Sequence, residues 1–354
     1  MTTETGLAAN PAAGVATDDA AAVDRLRRWI LDEHPALGRL ERVWPISGGR
    51  SNLVFGLECD TGARWCLRRP SVASTASRRG LGREYTLLSA LGESEVPVPR
   101  TVGLCVDESV VGAPFFLMAL VEGRAYDTAA AQATMSIPAR ARAGDEMARA
   151  LATIHSVDLT SVGLTRLARD EPYVLRQLRT WGDQLGPGTI RHDELLTLRD
   201  HLSSAFPGET QRRLLHGDFK IGNCLLDGDG TLRTVIDWEL ASLGDPRADL
   251  GWLLASWSGV GETTVRIVPP PGRERGFASR EELLDSYQQA AGADAGIDEL
   301  GYFQAFSEWK WACIDVGIHR RFSRPDHQSD TALDLDVVLG EIEARIERAA
   351  ELLR

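Results

Sequence analysis

The stretch LLHGDFKIGNCLLDGDGTLRTVIDWE, residues 214–239, constrains the possible structure of this chain more than any other. It places an amide, Asn223, five residues after a carboxylate, Asp218, and it ends a strand-like run on a second carboxylate, Asp237. A solvated hairpin with capping side chains would explain such a pattern. So would a site for phosphoryl transfer, because that reaction needs oxygen ligands for a metal and a carboxylate at the attacking oxygen.

The spacing of these groups matches the catalytic loop of protein kinases. In that loop an Asp takes the proton of the substrate hydroxyl, and an Asn five residues later binds magnesium. Val235-Ile236-Asp237 then places a second carboxylate at the end of a strand, where kinases carry a magnesium-binding Asp. Here the next residues are Trp238 and Glu239 instead of Phe and Gly. The combination favours a phosphoryl-transfer site over a polar hairpin, in which each residue would cap a turn independently.

Hydrophobic periodicity divides the 354-residue chain into a β-rich first part and a mainly helical second part. The first 18 residues are small and polar and are expected to be disordered. Residues 19–120 contain the strand-like runs, and 121–354 contain seven helical segments with one β-rich interlude at 213–238. The turn Asp227-Gly228-Asp229-Gly230 lies between apolar runs and predicts a hairpin. We therefore expect a small β-rich lobe and a larger helical lobe that carries one polar hairpin.

Composition excludes several classes of protein. The formal net charge of −12 argues against nucleic acid and anionic membranes as partners, since both attract basic surfaces. The five cysteines include no CxxC pair, so neither a disulfide framework nor a Cys-rich zinc site is expected. The N-terminus lacks the pattern of a secretory signal, and no apolar run reaches the ~20 residues that span a bilayer. These features predict a cytoplasmic protein, and they leave its oligomeric state open.

On these residues the chain resembles the aminoglycoside phosphotransferase and choline kinase-like family. The motif HGDxxxxN at 216–223, the IDWE segment at 236–239 and GDPxADL at 244–250 carry the resemblance. The combination is most similar to the branch related to kinase-like domains that are fused to acyl-CoA dehydrogenases. Further matching segments extend the resemblance over most of the chain: SGGRSNLVFGL (47–57), CLRRP (66–70), REYTLLSAL (83–91), FFLMALVEGR (115–124), LATIHSVD (151–158) and AFSEWKWACIDVGIHRRF (305–322).

The resemblance implies an α+β protein with the two-lobed protein-kinase-like fold. A small, antiparallel β-rich N-terminal lobe would bind nucleotide, and a larger, mainly helical lobe would carry the catalytic and acceptor-binding groups. The implied activity is transfer of the γ-phosphoryl group of ATP or GTP, with Mg²⁺, to a hydroxyl of a small molecule. In this branch the acceptor would be a hydroxyacyl-CoA or a similar hydroxylated metabolite. Two alternatives stay open: a phosphotransferase that inactivates aminoglycosides or other antibiotics, and a pseudokinase that binds nucleotide as a sensor or scaffold.

The resemblance also implies roles for individual residues. Asp218 would be the catalytic base, and Lys220 would stabilise charge on the transferring phosphoryl group. Asn223 and Asp237 would hold Mg²⁺, and Glu84 would pair with a basic residue of the third strand. A phosphate-covering loop and a base-binding connector would supply the other nucleotide contacts: Ser47, Gly48, Gly49, Ser51 and Asn52 in the loop, and Met118 to Leu120 in the connector.

The third strand departs from the family pattern, in which a Lys pairs with the phosphates and with the helix Glu. Here the strand offers Arg68 or Arg69, and alternation along the strand favours Arg68 because it shares a face with Cys66. Arg keeps the positive charge but is bulkier and binds in a fork, so nucleotide affinity and rate are left open. The phosphate-covering loop also falls short of GxGxxG, with only Gly48 and Gly49 together. Both departures favour the pseudokinase, whereas the complete catalytic-loop set favours an active enzyme.

Overall fold

The computed structural model describes residues 19–46, 52–71, 75–258, 270–272, 275–292, 296–323 and 333–354. The segment 1–18, for which disorder is expected, lies outside the described residues. Within the described residues the helices are α1 Ala20–Glu33, α2 Thr75–Leu91, α3 Ala129–Ala133, α4 Ile137–Ser156, α5 Tyr173–Gly182, α6 His192–Ser204, α7 Arg247–Ala255, α8 Arg280–Ala291, α9 Leu300–Phe322 and α10 Leu335–Leu352. The strands are β1 Leu40–Ile46, β2 Asn52–Cys59, β3 Arg64–Pro70, β4 Thr101–Cys105, β5 Phe115–Ala119, β6 Arg213–Leu215, β7 Cys224–Leu226, β8 Leu232–Val235 and β9 Ser242–Gly244.

The chain forms two structural units. The first comprises residues up to Gly92 together with Pro99–Val121, and the second comprises Glu93–Val98 and Glu122–Arg354. Strands β1 to β5 belong to the first unit, and strands β6 to β9 belong to the second. The short segment between α2 and β4, residues 93–98, thus belongs to the second unit although the residues on both sides of it belong to the first.

This short segment, residues 93–98, joins the second unit through strand β8. The carbonyl group of Pro97 accepts one hydrogen bond from the backbone N–H of Val235 at 2.8 Å and another from the hydroxyl of Thr234 at 3.1 Å. A backbone carbonyl has two lone pairs, so both bonds form at once. The segment is therefore fixed to a strand that lies far ahead of it in the sequence.

The first unit is built on a five-stranded antiparallel sheet with the strand order β1-β2-β3-β5-β4. One face is covered by α1, an amphipathic helix that begins at the N-cap Asp19 and buries Leu26 and Ile30. Trp29 of this helix meets Phe115 of β5 edge to face, with ring centroids 4.9 Å apart. These contacts form the core of the first unit.

Helix α9 forms the centre of the second unit. Buried side chains lie on all of its sides, and Phe303, Phe306 and Trp309 are fully enclosed. A helix that is buried on all sides is typical of a protein core. It packs mainly against α7 and α10 and also contacts α5 and α6. No helix in the described parts of the chain, α9 included, has the length and hydropathy needed to cross a membrane.

Two short antiparallel strand pairs carry the polar motif of the second unit. Strands β7 and β8 form the predicted hairpin, whose turn is closed by the backbone N–H of Asp227, which donates to the carbonyl of Thr231 at 3.0 Å. Strand β6 instead pairs with β9, which the sequence pattern did not predict, as it did not predict the short helix α3. These two elements have three and five residues, too few to show a hydrophobic period.

Candidate active site

The predicted catalytic residues lie on the loop that joins β6 to β7. This loop starts at His216 and ends in a single turn of 3₁₀ helix, Ile221–Asn223. Gly217 has a φ angle of +83°, and a Cβ atom at this position would lie 2.6 Å from the carbonyl oxygen of Leu240. Glycine satisfies both the backbone conformation and the close approach. It allows the loop to pass directly against the segment that follows Asp237.

Three side chains hold the carboxylate of Asp218. Lys220 Nζ donates to both carboxylate oxygens, at 3.0 Å to Oδ1 and at 2.8 Å to Oδ2. Asn223 Nδ2 donates to Oδ2 at 2.9 Å, and Trp252 Nε1 donates to Oδ1 at 3.0 Å. Each oxygen thus accepts one hydrogen bond from the ammonium group and one from a neutral donor. Donors on both oxygens fix the carboxylate in one orientation.

Trp252 is a contact that the sequence pattern did not predict. It is buried on α7, two residues after the GDPxADL motif. Its indole ring stacks on that of Trp311 of α9, with centroids 4.5 Å apart and planes 8° apart. Lys220 Nζ lies 5.3 Å from the centroid of the Trp311 ring. A tryptophan on an apolar helix is usually assigned to the core, so its closeness to the motif was the only signal in the sequence.

Asn223 is oriented so that its amide oxygen is turned away from Asp218. Its Nδ2 donates to the main-chain oxygen of Asp218 at 2.8 Å as well as to the carboxylate at 2.9 Å. An amide nitrogen has two N–H groups, and both are used by these bonds. The orientation of the amide therefore leaves its oxygen as the group that would meet a cation.

Asp237 follows β8 by two residues and has a left-handed backbone conformation, with φ of 67° and ψ of 60°. Asp and Asn adopt this conformation more readily than other residues that carry a Cβ atom. The preceding peptide is fixed on both sides. The backbone N–H of Ile236 donates to the carbonyl of Asn223 at 2.9 Å, and the carbonyl of Ile236 accepts from His216 Nε2 at 3.0 Å. These two bonds place Asp237 next to the catalytic loop.

The oxygen donors of Asn223 and Asp237 fit a Mg²⁺ ion. Mg²⁺ is usually bound through one or two protein oxygen ligands, and water and substrate phosphates occupy its other positions. Among the described residues, no group of three or more His, Cys, Asp and Glu side chains is arranged to enclose a metal ion. A Mg²⁺ ion held by these two donors would therefore need water and phosphate as its other ligands, and this role of Asn223 and Asp237 stays a prediction.

His216 supports the backbone of the loop. Its Nδ1 accepts a hydrogen bond from the backbone N–H of Asp218 at 3.3 Å, and its Nε2 donates to the carbonyl of Ile236 at 3.0 Å. These partners require a neutral ring with the proton on Nε2. Burial lowers the pKa of His216, although the charge of Asp249 opposes the shift, and the neutral form agrees with these hydrogen bonds.

Asp249, in the first turn of α7, holds the loop by its backbone. Its carboxylate accepts the backbone N–H of His216 at 2.6 Å and that of Gly217 at 2.9 Å. His155 Nε2 lies 3.5 Å from the same carboxylate. Burial would raise the pKa of Asp249, but His155 and the hydrogen bond from the backbone N–H of Gly217 outweigh burial, and the pKa is lowered. The GDPxADL segment thus braces the catalytic loop.

Replacing Asp249 with Asn should destabilise the fold by about 3 kcal/mol, because two hydrogen bonds from backbone N–H groups to a buried charge are weakened. The folded-state pKa of Asp249 is depressed, so its stabilisation is complete above the unfolded pKa of about 4 and is lost as the pH falls through the folded value. The difference in free energy of unfolding between the variant and the wild type should therefore shrink on acidification.

Urea denaturation at neutral and acidic pH measures the loss of stability and its dependence on pH. Asp32→Asn, at an exposed position of α1, is the control, and an equal loss in both variants at neutral pH would contradict the bracing role.

Lys310, in the middle of α9, is the second residue whose contact with the catalytic loop the sequence pattern did not predict. Its Nζ donates to the carbonyl of Gly217 at 3.2 Å and lies 4.3 Å from the centroid of the Trp252 ring. Burial lowers the pKa of Lys310 to about 8, even though nearby carboxylates act in the opposite direction. The chain has only two lysines, Lys220 and Lys310, and both contact the catalytic loop. Their rarity among 39 basic residues was the signal available in the sequence.

In the first unit, Arg68 and Glu84 form the predicted ion pair. On β3 the side chain of Leu67 lies in the core beside α1, so the next side chain, Arg68, points to the opposite face. Its Nε donates to Glu84 Oε2 of α2 at 3.0 Å, and both side chains are buried. Arg69 is directed elsewhere and donates to the carbonyl of Val111. The proposed role of Arg68 and Glu84 in nucleotide binding stays a prediction.

Four of the predicted phosphate contacts lie outside the described residues: Ser47, Gly48, Gly49 and Ser51. Asn52 is described and begins β2. In the predicted connector, Met118 lies within β5 and is flanked by β3 and by β4, so its backbone is inside the sheet. The backbone N–H of Leu120 donates to the carbonyl of Arg64 at 3.3 Å. A backbone contact to a base would therefore come from the carbonyl of Leu120 or from the residues after it.

Comparison with known families extends the resemblance beyond these motifs. The sequence model of the phosphotransferase enzyme family, APH, matches residues 42–300, which is more than half of the chain. The chain belongs to this family. The region matched to the APH family includes the catalytic loop, the hairpin and α7, as well as the strand and helix that carry Arg68 and Glu84.

Among curated proteins, this APH-family chain is similar to parts of larger acyl-CoA dehydrogenases. It is 30% identical over 301 residues to "Probable acyl-CoA dehydrogenase IBR3" of Arabidopsis thaliana, over 79% of this chain and 36% of that protein. It is 28% identical over 316 residues to "Acyl-CoA dehydrogenase family member 10" of Mus musculus, over 88% of this chain and 29% of that protein. The chain thus spans about a third of the length of these relatives. The predicted branch of the family is confirmed.

Solved structures of the APH family share the fold. One is a crystal structure of a Ralstonia eutropha JMP134 protein that is provisionally named an aminoglycoside phosphotransferase. That protein is 28% identical to this chain, with a TM-score of 0.74 over 93% of this chain and 98% of that chain. The GDP complex of aminoglycoside 2'-phosphotransferase-IIIa is 17% identical, with a TM-score of 0.59 over 93% and 99%, and shows the fold alone. The predicted α+β, two-lobed protein-kinase-like fold is confirmed, with the antiparallel sheet in the first unit and most helices in the second.

Proposed function

We propose that this chain transfers the γ-phosphoryl group of ATP or GTP to a hydroxyl group of a small molecule, with Mg²⁺ as the metal. The main support is the carboxylate of Asp218, on which Lys220, Asn223 and Trp252 converge. Side chains that merely cap the turns of a hairpin would bond to the nearby backbone instead. Several donors that hold one carboxylate in a fixed orientation allow that carboxylate to position a reacting hydroxyl.

In the proposed reaction, Asp218 accepts the proton of the acceptor hydroxyl while the hydroxyl oxygen attacks the γ-phosphorus. The bond from that phosphorus to the β–γ bridging oxygen breaks, and the nucleoside diphosphate leaves with this oxygen. Lys220 Nζ, 2.8 Å from Asp218, carries the charge that would neutralise the transferring group. Asn223 and Asp237 would hold Mg²⁺, which neutralises charge on the β- and γ-phosphates when it is bound.

Arg68 is proposed to contact the nucleotide phosphates in place of the usual Lys. A guanidinium presents five N–H donors in a planar fork, so one group can pair with a carboxylate and bind a phosphate at the same time. Glu84 would hold this fork in place from α2 through the 3.0 Å hydrogen bond. The same replacement favours the alternative, a pseudokinase that binds nucleotide without transferring phosphate.

The proposed acceptor is a hydroxyacyl-CoA or a similar hydroxylated metabolite. Support comes from the relatives that are 28% and 30% identical, because both are named acyl-CoA dehydrogenases and the chain matches only a part of each. A phosphoryl-transfer unit within such a protein suits a substrate that carries both a hydroxyl and an acyl-CoA group. The aminoglycoside phosphotransferase solved with GDP is 17% identical and supports the fold alone. The 28% identical Ralstonia structure is provisionally named an aminoglycoside phosphotransferase, so an antibiotic acceptor stays the alternative.

Calorimetric titration with ATP and with GTP tests the proposal first. We expect at least one nucleotide to bind in Mg²⁺ and to bind at least about tenfold more weakly in EDTA, because the metal would link the phosphates to Asn223 and Asp237. The nucleotide that binds is then used, labelled at the γ-phosphate, with a 3-hydroxyacyl-CoA and with kanamycin in parallel. A phosphorylated CoA ester supports the proposed acceptor, and phosphorylated kanamycin supports the antibiotic alternative. Binding without transfer supports the pseudokinase, and absence of binding contradicts the proposal.

A further inference from the structure

The environment of Lys310 differs from that of a lysine that only contributes to packing. The side chain is 2% exposed, and its Nζ makes one hydrogen bond, to the carbonyl of Gly217 at 3.2 Å. In the part of the chain that the structure describes, no carboxylate lies within 4.0 Å of this ammonium group. A buried ammonium without an ion-pair partner opposes folding. Met would fill a similar space without that penalty, so packing alone does not account for this lysine.

Lys310 is connected to Asp218 by two sets of contacts. The first is the backbone, since the carbonyl of Gly217 belongs to the peptide bond that precedes Asp218. The second is the indole of Trp252, whose ring centroid lies 4.3 Å from Nζ and whose Nε1 donates to Asp218 Oδ1 at 3.0 Å. A cation against an indole ring attracts the ring and strengthens its N–H as a donor. Both sets of contacts end at the proposed base.

Each of the two stacked indoles has one of the two lysines as a neighbour. Lys310 lies against Trp252, and Lys220 Nζ lies 5.3 Å from the centroid of Trp311. The two ammonium groups differ in their freedom to move, because Lys220 is partly exposed on the loop whereas Lys310 is enclosed within α9. Of the two lysines, only the partly exposed Lys220 can turn toward a substrate.

We propose that Lys310 is a positioning residue for Asp218, an inference that rests on the proposed function. It holds the carbonyl of Gly217 and the indole of Trp252 in place. The orientation of Asp218 then persists when Lys220 turns from the carboxylate to the transferring phosphoryl group. The two hydrogen bonds from neutral donors remain at that stage, and the buried ammonium stays as the fixed positive charge beside the loop.

Turnover of matched variants tests this role. Lys310→Met removes the charge, and Trp252→Phe removes the N–H that reaches Asp218. We expect each to lower kcat about 10- to 100-fold while the nucleotide Kd stays unchanged, and Lys310→Arg to recover part of the activity because it keeps the charge. Trp309→Phe is the control, since Trp309 Nε1 donates to the carbonyl of Leu195 at 2.9 Å, away from the loop. A Lys310→Met protein that keeps kcat within about twofold of the wild type overturns the proposal.

The thermal midpoint distinguishes positioning from a purely structural role. Because burial lowers the pKa of Lys310 to about 8, its charged form opposes folding below that pH. At neutral pH, Lys310→Met should therefore unfold at the same temperature as the wild type or at a higher one, although its turnover falls. A fall in turnover that is matched by a clear fall in the thermal midpoint overturns the positioning role in favour of a structural one.

NMR of the lysine side chains tests the contact without any turnover. Protein labelled with ¹³C at lysine Cε should give two signals, because the chain has two lysines, and Lys310→Arg assigns them. Burial lowers the pKa of Lys310 and the charge of Asp218 opposes this, so Asp218→Asn should lower the titration midpoint of its signal. The exposed Asp229→Asn should leave the midpoint unchanged. A midpoint that does not move in Asp218→Asn overturns the proposal.

This titration also separates the two proposals. If the wild-type protein transfers no phosphoryl group, the proposed function is refuted, and the titration alone then decides whether Lys310 contacts Asp218.

Discussion

Replacing Asp218 with Asn should lower kcat for phosphoryl transfer by about 10²- to 10⁴-fold, the usual contribution of a general base. The amide cannot accept the proton of the acceptor hydroxyl at neutral pH. It also offers one acceptor oxygen where the carboxylate offers two, so the bonds now made by Lys220 and Asn223 to Oδ2 are lost or rearranged. Nucleotide affinity should change little, because Asp218 is assigned to the acceptor and not to the donor.

The control for this variant is Asp229→Asn, the same chemical change at an exposed position of the β7–β8 turn. It should keep the kcat of the wild type. Calorimetry with the magnesium nucleotide and circular dichroism show whether Asp218→Asn is folded and binds its donor. If that variant binds nucleotide and turns over at the wild-type rate, Asp218 is not the base, and the assignment of the whole loop is wrong.

Replacing Asp237 with Asn should weaken binding of the magnesium nucleotide about 100-fold, which corresponds to about 2.7 kcal/mol. The loss follows from removing one negative charge and one oxygen ligand from the proposed metal site. Asn is the informative substitution, because Asp237 has a left-handed backbone with φ of 67° that Asn tolerates. Ala would add backbone strain and would mix an effect on folding with the effect on the metal.

The chelated nucleotide provides an internal control for Asp237→Asn. In EDTA the variant and the wild type should bind ATP or GTP equally, because the metal no longer contributes to either. The difference should appear as Mg²⁺ is added back, and more Mg²⁺ should be needed to saturate the variant. Equal affinities at every Mg²⁺ concentration would remove Asp237 from the metal site and leave Asn223 as the only assigned ligand.

The polar residues of the candidate site were predictable because their spacing is local. Asp218 and Asn223 lie on one short loop, and the β7–β8 hairpin returns the chain so that Ile236 bonds to Asn223 and places Asp237 beside them. Their roles as base and metal ligands stay predictions. The pairing of Arg68 with Glu84 was also predictable, because strand alternation selects one of two adjacent arginines.

Trp252 and Lys310 were not predictable, because their contacts depend on how helices pack. Lys310 is 93 positions from Gly217, whose carbonyl it contacts, and no periodic pattern links a residue on α9 to a loop from which it is separated by strands β7 to β9 and helices α7 and α8. Both residues lie on helices whose apolar side chains are not confined to one face, so sequence periodicity does not show which side chains meet the catalytic loop. The same limit applies to β9, which forms only because β6 offers it a partner.

The attachment of segment 93–98 to β8 has a consequence for the growing chain during translation. Pro97 is synthesised 137 residues before Thr234, whose hydroxyl donates a hydrogen bond to the carbonyl of Pro97. At about 5–20 residues per second, that interval is roughly 7–30 s. Strands β4 and β5 are complete early in this interval, so the sheet of the first unit has all five strands while the link between α2 and β4 still waits for its partner. On the ribosome, Pro97 therefore reaches these two hydrogen bonds only after all five strands of the first unit have been synthesised.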